Sequence, residues 1–165
     1  MLIEQNFVPW KKRDDKTKRP TYHQYFMEMA QLAATRSTCL RREVGAVAVI
    51  DNHVLCSGYN GSPRGLPHCK NLGCMREEMR IPSGERHELC RAVHAEQNLI
   101  CQAAYHGVSL RGATIYCTNQ PCSICAKLLV NVGIEKVIYK DGYPDKATEN
   151  ILMNRLIKVK EAEND

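Results

Sequence analysis

Apolar residues recur at spacings that divide the first third of the chain into a helix and a hairpin. Over residues 21–38 the spacing is helical, and the predicted buried face carries Tyr22, Tyr25, Phe26, Met29, Leu32 and Ala33. The apolar run 44–50 is followed by the polar pair Asp51-Asn52 and then by a second apolar run, 54–56. Two β-prone runs joined by a short polar turn predict a β-hairpin.

The second half of the chain alternates helical and extended patterns. The predicted elements are a helix that opens near His94 and stops at Gly107, a strand over 113–118, a helix after Pro121 that stops at Gly133, a strand over 136–139 and a short helix over about 145–154. This order predicts an α/β fold in which helices cover both faces of a mixed sheet. The strand–helix–strand segments are expected to be right-handed parallel crossovers.

Composition and charge narrow the class of protein. The 165 residues suit one domain over 21–165, preceded by an arm over 1–20 whose lysines and arginines contribute to the net charge of +5. We expect this arm to be a solvated tail, and a phosphate-attracting arm is the alternative. No apolar run approaches the roughly 20 residues of a membrane span. Nine cysteines without an export signal predict a cytoplasmic protein whose thiols bind metal or lie buried, and not disulfides.

Two short motifs carry the candidate chemistry: His94-Ala95-Glu96 and Pro121-Cys122-Ser123-Ile124-Cys125. Each is expected at a helix N-terminus, where the backbone favours a thiolate. One imidazole and two thiolates make three zinc ligands and leave the fourth position open, as in catalytic sites. Alone, the cysteine pair could be a redox motif and the histidine a structural residue. Together the motifs match the known pattern of zinc-dependent base deaminases, in which the glutamate moves protons and does not bind zinc.

The stretch 59–92 shows little periodicity and is long for a loop in a compact domain. Its cysteines, with one more at the end of the first helix, predict a second, structural zinc held by Cys39, Cys69, Cys74 and Cys90. His68 or His87 is an alternative to one of the thiolates. Simple burial is the alternative for some of these cysteines, and it is the expectation for Cys56, Cys101 and Cys117, which fall on predicted core elements.

With these residues in view, the chain resembles the deoxycytidylate (dCMP) deaminases of the cytidine-deaminase fold superfamily, from about Tyr22 to Ile157. Beside the two motifs, the resemblance rests on the segments Arg36-Ser37-Thr38-Cys39, Val44-Gly45-Ala46-Val47, Gly58-Tyr59-Asn60-Gly61-Ser62-Pro63 and Gly133-Ile134-Glu135-Lys136-Val137. It implies a three-layer α/β/α fold with a five-stranded mixed sheet, assembled as a hexamer. It also implies a second zinc and control by dCTP and dTTP, with Mg²⁺ accompanying the triphosphate.

The activity implied is hydrolysis of dCMP to dUMP and ammonia, which supplies dUMP for thymidylate synthesis. Glu96 is then the proton carrier, and the backbone N–H of Ala95 is a candidate donor to the base carbonyl. By resemblance, Asn60 contacts the sugar and Tyr139 lines the pocket. The segment Gly58-Tyr59-Asn60-Gly61 resembles the family's effector site, and for its two glycines a tight turn is expected in either case.

For the 5′-phosphate, the sequence offers Arg36 and Arg64 as the preferred candidates over Arg41 and Arg42. Three rival functions remain open. A deaminase of single-stranded nucleic acid would use the same zinc and Glu96, but no aromatic run suited to stacking bases is present, so we expect no nucleic-acid partner. A nucleoside deaminase would need no grip on phosphate. A non-enzymatic zinc module in DNA uptake would not need Glu96.

Overall fold

The computed structural model describes residues 19–142 and 145–158, so most of the predicted basic arm lies outside the described residues. The helices are α1 (Tyr22–Ala34), α2 (Cys69–Leu72), α3 (Met75–Glu78), α4 (Ala95–His106), α5 (Ser123–Asn131) and α6 (Lys146–Leu152). The strands are β1 (Gly45–Ile50), β2 (His53–Tyr59), β3 (Thr114–Asn119), β4 (Lys136–Asp141) and β5 (Leu156–Lys158). No helix among the described residues is long and apolar enough to cross a membrane.

The five strands form one mixed sheet in the order β2-β1-β3-β4-β5. Strand β1 is antiparallel to β2 and β3, whereas β3, β4 and β5 are parallel. The predicted five-stranded mixed sheet is therefore confirmed. Its short last strand, β5, follows from the family resemblance and not from the apolar pattern, because three residues are too few to show a period.

Helices cover both faces of the sheet and give the three predicted layers. On one face α1 packs on alternate residues of β1, β3 and β4: Val47, Val49, Tyr116 and Ile138. On the other face α4, α5 and α6 cover the residues that alternate with these: Ala46, Ala48, Ile115, Cys117 and Val137. The second face holds the larger core and carries the N-termini of the two helices that bear the motifs.

The predicted hairpin between β1 and β2 is confirmed. Asp51 and Asn52 form its turn with positive φ angles of 49° and 60°. Two left-handed residues give the turn type whose twist matches that of the paired strands, and Asn and Asp tolerate that conformation better than most residues.

The predicted face of α1 is wrong in part, and the helix ends at Ala34, four residues before the predicted boundary. Tyr22, Tyr25 and Leu32 are exposed, and the buried stripe is Phe26, Met27, Ala30 and Ala34. The cause is Gly45 on β1, where a Cβ atom would lie 2.0 Å from the Ala30 carbonyl oxygen. Helix and strand approach so closely at Ala30 and Ala34 that only small side chains fit between them there.

The tight turn predicted at Gly58 and Gly61 is also wrong. Gly58 lies within β2, and neither glycine has a positive φ. A Cβ atom on Gly58 would lie 2.4 Å from the Ala95 carbonyl oxygen and 2.5 Å from the Leu99 nitrogen. Gly58 therefore allows the first turns of α4, which carry His94 and Glu96, to pack directly on the sheet.

Gly58→Ala should consequently destabilise the protein by about 1–3 kcal/mol, the usual cost of overpacking a tight core contact. The added methyl group must push α4 away from β2, so zinc content and turnover should fall as well. Urea unfolding measures the first effect, and Ser57→Ala, an exposed change on the same strand, is the control. An unfolding free energy equal to that of the wild type would contradict the close packing.

Candidate active site

A cavity of about 460 Å³ opens beside the carboxyl ends of β3 and β4, where parallel sheets commonly bind ligands. Its walls come from the start of α4, the segments that follow β3 and β4, the start of α6 and the cysteine-bearing stretch 59–92. Residues that line it include Asn60, Arg76, His87, His94, Ala95, Glu96, Asn119, Gln120, Cys122 and Asp145. The predicted first motif and part of the second therefore meet in one cavity.

His94, Cys122 and Cys125 form a group with the composition and spacing of a metal site. Their ligand atoms all lie within 4.8 Å of one another. His94 Nδ1 is 3.5 Å from Cys122 Sγ and 3.4 Å from Cys125 Sγ. Ligands on a tetrahedral zinc with ordinary bond lengths would be separated by roughly 3.6 Å. The donor set thus fits zinc, with three protein ligands and one open position.

Two helix N-termini hold these ligands. His94 caps α4, and its backbone N–H donates to Gln97 Oε1 at 2.8 Å, which fixes the first turn. Cys122 caps α5. A hydrogen bond from α6 holds the backbone just before α5, because the Thr148 hydroxyl donates to the carbonyl oxygen of Pro121 at 3.1 Å. Exposed N–H groups at both helix starts favour negative charge on the ligands.

The pKa values of the two thiols, Cys122 and Cys125, are shifted in opposite directions. Hydrogen bonds from the Cys125 thiol and from His94 lower the pKa of Cys122 to about 3. The pKa of Cys125 is raised because its thiol donates to Cys122 and because it is buried. The pair thus favours negative charge on Cys122, and metal binding displaces the protons that remain on the sulfurs.

Glu96 follows His94 by two residues but lies outside the group of metal-binding atoms. Its side chain is 3% exposed and lines the cavity. Burial raises the pKa of its carboxyl group, while the His94 charge opposes that shift. Burial and, after it, the charge of Glu96 raise the pKa of the Cys117 thiol on β3 well above its usual value. The geometry leaves Glu96 available to hold and transfer a proton.

The structure brings two further predicted residues to the cavity. Ala95 is the first residue of α4, so its N–H has no partner within the helix. The Asn60 amide is already engaged, because Oδ1 accepts from the Val44 N–H at 2.9 Å and Nδ2 donates to the Arg42 carbonyl at 2.8 Å. Asn60 therefore fixes the entry to β1 at the edge of the cavity.

Three predicted site residues are not placed at the cavity. Arg36 is exposed just after α1, and Arg64 lies with its guanidinium over the Tyr105 ring at 5.1 Å. Tyr139 on β4 has a raised pKa because of burial and the nearby Glu149 carboxylate, and it does not line the cavity. None of the three lines this cavity, and their assignment as substrate contacts stays a prediction. The arginines were chosen for nearness in sequence to the motifs, which does not fix nearness in space.

The four cysteines assigned to a second zinc lie along one side of the same cavity: Cys39, Cys69, Cys74 and Cys90. Burial is the largest cause of the raised pKa of Cys69. The charges of Cys90, Cys39 and Cys74 raise it further, so the four thiols interact electrostatically. Among the described residues, however, only the His94 group has three such donor atoms within 4.8 Å. Of the two histidine alternatives, His68 is exposed, whereas His87 lies edge-on to the His94 ring with centroids 4.8 Å apart.

The expectation that Cys101 is buried is wrong, whereas Cys117 is fully buried and Cys56 is partly buried. Cys101 lies two residues beyond Leu99 on α4, and Leu99 and Ala103 face the sheet. Two residues turn a helix through about 200°, so Cys101 faces outward.

Sequence reasoning gave no role to Arg76 in this cavity and named His87 only as an alternative ligand of the second zinc. Both come from the stretch 59–92, whose one-turn helices are too short to show a period. A faint signal was present, because Arg76 follows Cys74 by two residues and His87 precedes Cys90 by three. If these cysteines gather at one place, their neighbours must gather there too.

Comparisons with known proteins agree with this geometry. Residues 20–141 match the family described as the cytidine and deoxycytidylate deaminase zinc-binding region. A deoxycytidylate deaminase of Mycobacterium phage D29 is 40% identical over 126 residues, which are 73% of this chain and 95% of that protein. A crystal structure of the cyanophage S-TIM5 dCMP deaminase in complex with dCMP and dUMP superimposes with a TM-score of 0.68 and 27% identity, and covers 86% of this chain and 99% of that one.

A deoxycytidylate deaminase of Schizosaccharomyces pombe is 38% identical over 144 residues, which are 87% of this chain. The chain spans only about half the length of this relative, 44%. The match of the family over 122 residues includes every strand except β5 and both motifs. The chain therefore belongs to the cytidine and deoxycytidylate deaminase family of zinc-binding proteins.

Proposed function

We propose that this protein is a zinc-dependent dCMP deaminase that converts dCMP and water into dUMP and ammonia. One observation carries the proposal: three metal-binding atoms of His94, Cys122 and Cys125 converge within 4.8 Å in a cavity that also receives the buried Glu96. The names of the phage, yeast and cyanophage relatives support dCMP as the substrate. The product dUMP is a precursor for thymidylate synthesis.

Zinc held by the three residues would supply a Lewis acid that makes a water molecule acidic enough to lose a proton near neutral pH. The chain's own residues do the rest. Glu96 accepts the proton from the attacking water and passes it to ring nitrogen N3 of cytosine. The oxygen of the same water bonds to C4. Glu96 then takes the remaining proton from the new C4 hydroxyl group and gives it to the amine as the C4–N bond breaks, which leaves the C4 carbonyl of dUMP and ammonia.

The environment of Glu96 suits both steps. Because burial raises its pKa, the carboxyl group is a stronger base than an exposed glutamate and returns its proton less readily to solvent. The Ala95 N–H at the start of α4 is placed to donate to the base carbonyl, and Asn60 borders the space where the sugar would lie.

Ammonia release from dCMP, CMP, deoxycytidine, cytosine and single-stranded DNA tests the proposal. We expect dCMP to be the best substrate by kcat/KM. Deoxycytidine as the best substrate would indicate a nucleoside deaminase, and salt-sensitive turnover of oligonucleotides would indicate a nucleic-acid deaminase. No ammonia from any of the five would favour a non-enzymatic zinc module.

A second, structural zinc on Cys39, Cys69, Cys74 and Cys90 is part of the proposal. Gathering of the four thiols along one wall of the cavity supports it. We expect about two zinc ions per chain, and Cys69→Ala should lower both zinc content and thermal stability because metal binding contributes to folding. Elemental analysis of the purified protein measures the count. Cys101→Ala, which removes an exposed thiol, is the control, and one zinc in the undamaged wild type would remove the second site.

We also propose control by dCTP as activator and dTTP as inhibitor, bound with Mg²⁺ at Gly58-Tyr59-Asn60-Gly61 in a homo-hexamer. Exposed large side chains on α1, at Tyr22, Tyr25 and Leu32, support assembly with further copies. Effectors act only if they bind two states with different affinity. Sigmoidal dependence of rate on dCMP, shifted in opposite directions by the two triphosphates, is expected. Hyperbolic kinetics that neither triphosphate changes would exclude this control.

The remaining assignments are a single catalytic domain over 21–165 and a cytoplasmic location. All nine cysteines are free thiols, as expected where reducing conditions prevail. The basic residues of the arm over 1–20 can attract a nucleotide phosphate or simply remain solvated.

A further inference from the structure

The cavity contains several buried polar atoms with no partner in the protein. Five such side-chain atoms occur among the described residues, and three of them belong to cavity residues: Arg76 Nε, His87 Nδ1 and Gln120 Nε2. Buried polar groups are nearly always paired, so a cluster of unpaired ones indicates an absent polar ligand. The cavity is thus built for a ligand with more polar groups than a bare pyrimidine ring.

Arg76 has the strongest requirement for such a ligand. It lies on α3 and is only 8% exposed, which is unusual for an arginine. Its Nη2 donates a hydrogen bond to the carbonyl oxygen of Pro82 at 3.1 Å. Within the described part of the chain, ion pairs join Arg86 to Glu88 and Lys136 to Glu135, so no carboxylate lies within ion-pair distance of Arg76. A buried cation without a counter-charge is costly until an anion arrives.

Two neighbouring arginines have a different environment. Arg41 donates to the carbonyl oxygen of Ile81 at 3.2 Å and Arg42 to the Ser83 hydroxyl at 3.2 Å, and both are more exposed than Arg76. These hydrogen bonds hold the loop around residue 82 from its solvent-exposed side. Arg76 holds the same loop by a hydrogen bond from its buried side, where Arg76 also lines the cavity.

We propose that Arg76 binds the 5′-phosphate of the substrate and so sets the preference for a nucleotide over a nucleoside. The inference rests on the proposed function and adds a residue to it. A guanidinium group presents N–H donors in a planar fork that matches two phosphate oxygens, and the ion pair replaces the missing counter-charge. The dianionic phosphate enters a region where Arg41 and Arg42 add further positive charge at the rim.

Arg76→Gln tests the inference through the ratio of two specificity constants. We expect kcat/KM for dCMP to fall by about ten- to a hundredfold, the usual effect of one charge-assisted contact, while kcat/KM for deoxycytidine stays within a factor of about three. Arg111→Gln, the same substitution on an exposed arginine outside the cavity, should change neither constant. Equal losses on both substrates would show that Arg76 only holds the loop through Pro82, and would overturn the inference.

A binding measurement separates recognition from catalysis. By calorimetry the wild type should bind dUMP more tightly than deoxyuridine, and Arg76→Gln should remove most of that difference. Arg76→Lys keeps the charge and should fold if the glutamine variant does not. It should lose about tenfold in preference for the phosphate because an ammonium group lacks the fork. An unchanged preference in the lysine and glutamine variants overturns the role of Arg76 and leaves the dCMP deaminase intact. A wild type without any preference for dCMP overturns the proposed function itself.

Discussion

Glu96→Gln is expected to lower kcat for dCMP by about two to four powers of ten while zinc content stays at the wild-type level. Glutamine fills the same space at the start of α4 but cannot accept a proton from water. Because the carboxylate lies outside the group of metal-binding atoms, removing its charge should leave the three ligands in place. Steady-state ammonia release and elemental analysis of the same preparation measure the two quantities.

The matched control is Glu135→Gln, the same substitution on an exposed glutamate that pairs with Lys136 at the start of β4. It should leave turnover unchanged. Loss of zinc from Glu96→Gln would mean that Glu96 supports the metal and is not a free proton carrier. Retention of full activity would remove it from the mechanism.

Cys125→Ala is expected to abolish turnover and to empty the catalytic site of zinc. Cys125 is fully buried in the first turns of α5, and its sulfur is 3.4 Å from His94 Nδ1. With two ligands left, the site can neither hold zinc firmly nor fix its geometry. Stability should fall too, because a ligand that binds only the folded state stabilises it.

A zinc add-back experiment separates loss of metal from loss of fold. Wild type treated with a chelator should regain activity when zinc is restored, whereas Cys125→Ala should not. Cys101→Ala on α4 removes an exposed thiol and should behave as wild type throughout. Wild-type activity in Cys125→Ala would exclude this cysteine as a ligand.

The elements and the metal site could be read from the sequence because their signals are local. Asp51-Asn52 between two apolar runs specifies a hairpin, and a glycine with positive φ ends α4 at residue 107, as predicted. His94 and the two cysteines could be assigned to one metal site because each motif begins a helix and a single strand lies between the two helices. Patterns of this kind depend on spacing along the chain and not on distant contacts.

Except for Cys101, whose outward position follows from the period of α4, the failures concern contacts between distant segments. The sequence suggests a turn at Gly58. In the structure a glycine is needed there because the backbone of α4, about 40 residues later, packs directly against it. Similarly, Gly45 determines which face of α1 is buried, and no pattern within α1 records that. Arg76 lies in a stretch without periodicity, so only the fold shows that it is buried beside His94 and lacks a counter-charge.

Deamination of dCMP in ¹⁸O-labelled water tests the central claim most directly. If Glu96 delivers a proton from water while oxygen from that water attacks C4, each dUMP formed should carry one ¹⁸O at C4 and appear with one ammonia. Mass spectrometry of the product, with ammonia assayed in the same reaction, gives both numbers. Unchanged dCMP in the presence of zinc-loaded protein, or dUMP without the label, would contradict the account.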